Sequence, residues 1–254
     1  MAGILYLCAT PIGNLEDMTF RAVRVLGEVD LIAAEDTRNS IKLLNHFEIK
    51  TPMTSYHEYN KIEKGKKLVQ KLLEGQNIAL ITDAGTPGIS DPGEELVKMC
   101  YEAGITVTSL PGAAACITAL TISGLATRRF AFEAFLPSDK KERQEVVKEL
   151  EQEARTIILY EAPHRLVKTL KELEGVLGNR RITVCRELTK KHETAFVTTF
   201  KRGDRLLRGN GSKGRVRARS GRKEQRRDTK GSTKSVGADV TGRPCTILYG
   251  SGNR

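Results

Sequence analysis

The residues best suited to chemistry lie in short polar or Gly/Pro stretches that come after apolar runs. The most informative is Asp83-Ala84-Gly85-Thr86-Pro87-Gly88-Ile89-Ser90-Asp91-Pro92-Gly93. Its end, Asp91-Pro92-Gly93-Glu94, fits a helix start with Asp91 as N-cap, Pro92 at the first helical position and Glu94 at the third. That leaves Gly85 and Gly88 without a role. Glycines there let main chain approach a ligand closely, so that backbone N–H groups can hold a polar edge. The local pattern fits either a turn or a ligand loop. Pro111-Gly112-Ala113-Ala114-Ala115 has no bulky side chain. It suits tight packing of a helix on a sheet, or a flat surface for adenine or ribose. Neither stretch is GxGxxG, and GxxxxGK[ST] is absent, so a dinucleotide fold and a P-loop NTPase both lose their signatures.

Acid–base chemistry has its own candidates. Glu35-Asp36-Thr37-Arg38 follows an apolar run; Asp36 or Thr37 could cap a helix, or the acidic pair with Arg38 could grip substrate. His57 stands beside Glu58 in a similar place and is a candidate base, as is Asp36. Tyr160-Glu161-Ala162-Pro163-His164-Arg165 is more polar than a turn requires, although Pro163 alone could open the next helix. No His/Cys/Asp/Glu set has zinc spacing, so a metal is not implied.

These stretches need elements to hold them. Apolar runs at Ile4–Cys8, Leu31–Ala34, Met53–Tyr56, Ile78–Ile81 and Ile105–Leu110 alternate with amphipathic segments such as 20–26, 68–73 and 96–101. That alternation predicts a parallel sheet covered by helices. In an open parallel sheet the loops after the strands share one edge, where ligands bind. Residues 121–200 read as a second α/β unit. Its strands are expected at Phe130–Leu136, Thr156–Tyr160, Ile182–Cys185 and Ala195–Phe200, and its helices at Asp139–Glu153 and Leu166–Leu177. The expected organisation is an N-terminal α/β domain over 1–120, a C-terminal α/β domain over 121–200 and a tail over 201–254.

Charge supports that division. The net charge of +11 is concentrated in residues 201–254, which hold 16 Lys and Arg against 4 Asp and Glu. Those residues are Gly-rich and have few apolar clusters, chiefly Leu206-Leu207 and Ile247-Leu248-Tyr249, so the segment is expected to be disordered. The 5 cysteines are scattered without CxxC, which fits a reducing cytoplasm. No apolar run approaches the roughly 18–20 residues of a membrane span, and the N-terminus reads as a strand and not a signal.

Taken in order, Ala9-Thr10-Pro11-Ile12-Gly13-Asn14, Glu35-Asp36-Thr37-Arg38, Asp83–Gly93, Pro111-Gly112-Ala113, Phe135-Leu136-Pro137, Tyr160–Arg165 and Cys185-Arg186-Glu187-Leu188-Thr189-Lys190 resemble the tetrapyrrole-methylase superfamily, in its rRNA-methylating branch. The resemblance runs from Gly3 to about Lys191. It implies two α/β domains with S-adenosyl-L-methionine between them, a homodimer, and methylation of the ribose 2′-oxygen of a decoding-region cytidine in 16S rRNA, free or in the small ribosomal subunit. It implies cofactor contacts at Thr10, Pro11, Asp83, Ala84, Gly85, Ser90, Pro111, Gly112 and Ala113, with Tyr160, Glu161 and Ala162 closing from the second domain. Glu35, Arg38, His164 and Arg165 are the expected substrate grips. The pattern fades after His192-Glu193, and the abrupt turn to Arg, Gly and Ser looks like a shifted reading frame; a genuine basic RNA-binding tail is the alternative. A shifted frame would deprive the second domain of a strand and leave a strand edge unpaired. A tetrapyrrole methyltransferase and a non-enzymatic RNA-binding protein are the competing functions.

Overall fold

The structure is a computed structural model that describes residues 1–203 and the strand Cys245–Tyr249. Five strands, β1 (Ile4–Cys8), β2 (Leu31–Ala34), β3 (Met53–Ser55), β4 (Ile78–Ile81) and β5 (Thr106–Leu110), form one sheet in the order β3-β2-β4-β1-β5. Every pairing in it is parallel. Such a sheet needs cover on both faces. Helices α1 (Phe20–Glu28) and α2 (Thr37–His46) supply Ala22, Val25, Leu26 and Leu44 to one face, against Ile32, Ala79 and Ile81. Helices α3 (Lys61–Leu73) and α4 (Glu94–Glu102) supply Leu68, Leu72, Leu96 and Cys100 to the other, against Leu5, Ile78 and Leu80. The period-2 alternation within β4 therefore decides which helix pair each side chain meets.

A short helix, α5 (Ala115–Ile122), leads into the second sheet. That sheet contains β6 (Phe130–Phe135), β7 (Thr156–Glu161), β8 (Arg181–Arg186), β9 (Thr194–Thr199) and β10 (Cys245–Tyr249), in the order β6-β7-β10-β8-β9. Helices α6 (Lys140–Glu151) and α7 (Leu166–Leu177) cover one face with Val147, Leu150, Leu166, Leu170 and Leu173. Asp139 caps α6 by accepting from the N–H groups of Lys141 and Glu142. Helix α5 packs on the other face, where Cys116, Ala119 and Leu120 meet Ile158 and Cys185.

The strand β10 corrects two expectations. Five residues of the segment expected to be disordered lie in the middle of the second sheet, antiparallel to both β7 and β8. Residues 200–203 are helical as well, so the first residues of that segment are also ordered. No edge is left open between β7 and β8. The reason is local. Without β10 both strands would bury unpaired ladder groups, and the backbone of one five-residue strand is enough to satisfy both. Ile247 pairs with Leu159 on one side and Val184 on the other, and it is fully buried in the α6–α7 core. The expectation of disorder over 204–244 lies outside the described residues.

Truncating Ile247 tests this placement. Ile247→Ala should lower unfolding stability by about 2–5 kcal/mol, as a large-to-small change in a closed core does. Urea denaturation followed by circular dichroism checks it, and an unchanged midpoint would place residue 247 outside the sheet.

Candidate functional site

Because β1 lies between β4 and β5, the loops after these three strands are neighbours at one edge of the first sheet. They are also bonded to one another. Thr10 and Gly85 exchange N–H···O bonds of 2.9 Å in both directions. Thr10 Oγ1 donates to the Thr82 carbonyl at 3.0 Å, and Thr86 Oγ1 donates to the Ala113 carbonyl at 2.9 Å. Gly112 is exposed, yet a Cβ there would stand 2.6 Å from the Ala9 Cβ. The loop after β5 therefore lies against the loop after β1 with no room for a side chain.

The second sheet closes the opposite side. Ile12, Ala84, Ala113 and Ala114 share one apolar cluster with Ile158, Tyr160, Cys185 and Leu188. Helix α5 has Ala114 at its N-cap and no side-chain cap of its own. Tyr160 provides one from β7: its Oη accepts from the Cys116 N–H at 3.0 Å. Phe132 and Phe135 meet the Tyr160 ring edge-on at centroid distances of 5.1 and 5.6 Å. The loop after β8 also touches the first domain, since a Cβ on Gly13 would lie 2.7 Å from the Leu188 carbonyl oxygen. Glu187 and Thr189 in that loop hold positive φ, of 55° and 65°.

Carboxylates gather at the first-sheet side of this crevice. The Asp83 N–H donates to Glu35 Oε2 at 3.3 Å, and Asn39 Nδ2 donates to Asp83 Oδ2 at 3.0 Å. Burial raises the Glu35 carboxyl above its usual range; the Asp83 N–H opposes this, and the charges of Asp83 and Asp36 add to it. Asp91 is pushed up to about 7, chiefly by burial and then by the charges of Glu35 and Asp83. Asp91 is not the cap of α4, contrary to the sequence expectation. The helix starts at Glu94, and Gly93, at φ 155°, occupies the N-cap position.

The other expected residues are spread over several elements. Asp36 caps α2 by accepting from the Arg38 N–H at 2.8 Å, and it binds the Arg38 guanidinium through both oxygens. That pairing holds the Asp36 carboxyl down at about 2, so it is a weak proton acceptor at neutral pH. His57 shares Nε2 with Asn60 Nδ2 at 3.2 Å, and its Nδ1 is buried without a partner among the described residues. The Glu161 side chain does not face the crevice. It lies on the α7 side, buried, where it accepts from Thr169 Oγ1 and the Ala162 N–H and faces Arg165 at 3.4 Å and Arg143 at 3.9 Å. Arg165 also donates to the Leu136 carbonyl, while His164 is exposed. Thr10, Pro11, Gly85 and Ala113 line the meeting of the loops, with Asp83, Ser90 and Pro111 more exposed. Asp91 is the addition that no sequence signal marked as chemical, because its helix-start pattern absorbed it.

The chain belongs to the tetrapyrrole (corrin/porphyrin) methylase family, whose model matches residues 4–202. Within that family it is similar to the ribosomal RNA small subunit methyltransferase I of Synechocystis, 58% identical over 213 residues that make up 84% of this chain and 76% of the relative. The protein of the same name from Haemophilus influenzae is 54% identical over 79% of this chain and 71% of its own. Among solved structures, diphthine synthase superposes with a TM-score of 0.68 at 10% identity, covering 98% of this chain and 90% of the other. The Thermus thermophilus uroporphyrin-III C-methyltransferase, complexed with S-adenyl homocysteine, gives 0.58 at 18%, covering 98% and 97%.

The Asp91 environment makes a testable stability claim. An unfolded aspartate ionises near roughly 3.9, whereas the folded chain keeps the Asp91 proton up to about 7. Between those values the folded state binds more protons, so this residue's contribution to stability falls as pH rises. Asp91→Asn removes that loss. The variant should gain stability relative to the wild type from pH 4 to 7 and hold the gain above 7. Urea titrations at stepped pH check it; a difference independent of pH would refute the half-buried placement.

Proposed function

We propose that this chain, a methyltransferase of the family above, methylates the ribose 2′-oxygen of a cytidine in the decoding region of 16S rRNA, acting in the cytoplasm as a homodimer. The cofactor is S-adenosyl-L-methionine. The observation that carries this reading is the crevice itself, three cross-bonded small-residue loops closed by Tyr160, in a chain 58% identical to a ribosomal RNA small subunit methyltransferase I.

The residues present fit such a cofactor. Main chain at Pro111-Gly112-Ala113 is open to a flat group because Pro111 and Gly112 are exposed, and the Asp83 carboxylate at the same edge suits a positively charged ligand. Thr10, Pro11, Asp83, Ala84, Gly85, Ser90, Pro111, Gly112, Ala113 and Ala162 are the residues that would hold it, with Tyr160 bracing the loop before α5. When bound it supplies an electrophilic methyl group on a sulfonium. The protein's own work is positioning: well-oriented reactants can account for roughly 7–11 kcal/mol of a barrier, whereas a general base adds about 10²–10⁴-fold.

Phosphate contacts need cations that are free to make them. Arg38 is engaged by Asp36 and Arg165 by Glu161. β6 and β7 are parallel, and β7 and β8 are both antiparallel to β10, so all three end at one edge. The exposed Lys140, Lys141, His164, Lys191 and His192 come after those ends and supply the backbone grip. Arg128 and Arg129 precede β6 and lie at the other edge.

Incubating the chain with methyl-labelled cofactor and unmethylated small subunits should yield 2′-O-methylcytidine on mass spectrometry of the digested RNA. Labelling of a porphyrinogen and not of the RNA would favour a tetrapyrrole methyltransferase instead. Gly112→Val should abolish cofactor binding in calorimetry while the far-UV spectrum stays native; unchanged affinity would move the cofactor elsewhere. The pair Lys140→Ala and Lys141→Ala should lower the slope of log affinity against log salt by about 0.7–0.9 for each phosphate that the lysines neutralise. An unchanged slope would remove these lysines from the interface.

A further inference from the structure

The acid–base groups around the crevice differ in how far their hydrogen-bonding capacity is already used. Asp36 is held by Arg38, Glu35 by the Asp83 N–H and Asp83 by Asn39. His57 shares Nε2 with Asn60, and its Nδ1, unpartnered among the described residues, is buried, where an incoming hydroxyl does not reach it. Glu161 is buried on the other face of its sheet. Asp91 accepts no hydrogen bond among the described residues, and it is half-buried. The turn that carries it is fixed. Ser90 holds φ at 66°, in the left-handed region, and a Cβ on Gly93 would stand 2.9 Å from the Gly88 nitrogen, so the turn closes on itself.

The groups facing Asp91 come from three elements. Glu35 lies just after β2, Asp83 opens the same loop as Asp91, and Tyr160 reaches across from β7. His57, after β3, faces Glu35, and Arg38, on α2, faces Asp83. No cation among the described residues is paired with Asp91.

We propose that Asp91 is the proton acceptor for the attacking hydroxyl of the substrate, an inference that rests on the methyl-transfer reading above. The carboxylate takes the hydroxyl proton, and the oxygen's electron pair forms its new bond to the methyl carbon. The bond from that carbon to sulfur breaks with its pair left on sulfur. Asp91 then returns the proton to solvent. The surroundings suit the task, since a carboxyl raised to about 7 by burial and by Glu35 and Asp83 is a stronger base than an ordinary aspartate and still ionised at slightly alkaline pH.

The test is a comparison of wild type, Asp91→Asn and Asp91→Glu on unmethylated small subunits. Asp91→Asn should lower kcat by about 10²–10⁴-fold, with cofactor Kd by calorimetry and KM for subunits within about twofold of wild type. The wild-type kcat should fall below pH 7 on an acid limb that the Asn variant lacks, and Asp91→Glu should restore part of the rate. Carbon-13 NMR of aspartate-labelled chain gives a readout free of turnover: one carboxyl titrating near 7, absent from Asp91→Asn. A kcat for Asp91→Asn within threefold of wild type, or an acid limb that survives the substitution, overturns the assignment while leaving the methyl-transfer reading intact. A wild type that methylates no hydroxyl on the subunit removes that reading, and the assignment falls with it.

Discussion

The parallel pairing of β1 with both β4 and β5 is the constraint on which the crevice depends. Leu5 stands opposite Ile78 on one side and Val107 on the other, so the three strands keep one register and end together. Strands a few ångströms apart leave no slack between the loops at their ends. The loops respond by bonding to one another, through the Thr10–Gly85 exchange and the Thr86 hydroxyl. Their small side chains are a result of the same crowding. At Gly112 even one carbon would collide with Ala9. Packing alone thus asks for glycine here, which is why the local pattern could not separate a packing turn from a ligand loop.

A second consequence is electrostatic. Glu35 after β2 and Asp83 and Asp91 after β4 meet at the same edge, and the partial burial of Glu35 and Asp91 makes the mutual repulsion more costly than it would be in water. Asp36 avoids this by turning to Arg38 on its own helix. Glu161 avoids it by pointing to the opposite face of β7, where Arg143, Arg165 and Thr169 surround it. Asp91 has neither escape. A carboxylate kept in that position reduces stability at neutral pH, a cost that folds commonly carry at sites of chemistry.

Much of this was legible in the sequence. Apolar runs bounded by turn residues mark all five strands of the first sheet, amphipathic segments mark α1, α3 and α4, and the parallel topology those runs imply brings the strand-end loops together. Three features were harder. The signature Asp-Pro-Gly-Glu signals a helix start, and a helix does start there, but the φ of 155° at Gly93 delays it and frees Asp91. Tyr160 and Glu161 share one motif, yet adjacent strand residues face opposite sides; applying the period of two to β7 would have separated the crevice-facing tyrosine from the buried glutamate. The strand β10 was hidden by its surroundings. Five residues in a basic, Gly-rich segment give no periodic signal, and only the gap between β7 and β8 reveals that a strand is wanted there.

That gap ties the second sheet to the crevice. Thr246 stands directly opposite Tyr160 across the β10–β7 ladder, and Cys245 stands opposite Glu161. Tyr160 in turn caps α5, whose first residues continue the loop Pro111–Ala114. A line of direct contacts therefore runs from β10 through β7 to the main chain proposed to hold the cofactor. The pairing of β10 with β7 joins residues far apart in the chain, and such contacts carry a loop-closure cost that must be met before the ladder can form. The first sheet has no such dependence, since its five strands close on contacts within residues 4–110. Tyr160 is held from both sides of β7, by β6 with the rings of Phe132 and Phe135 on one side and by β10 on the other.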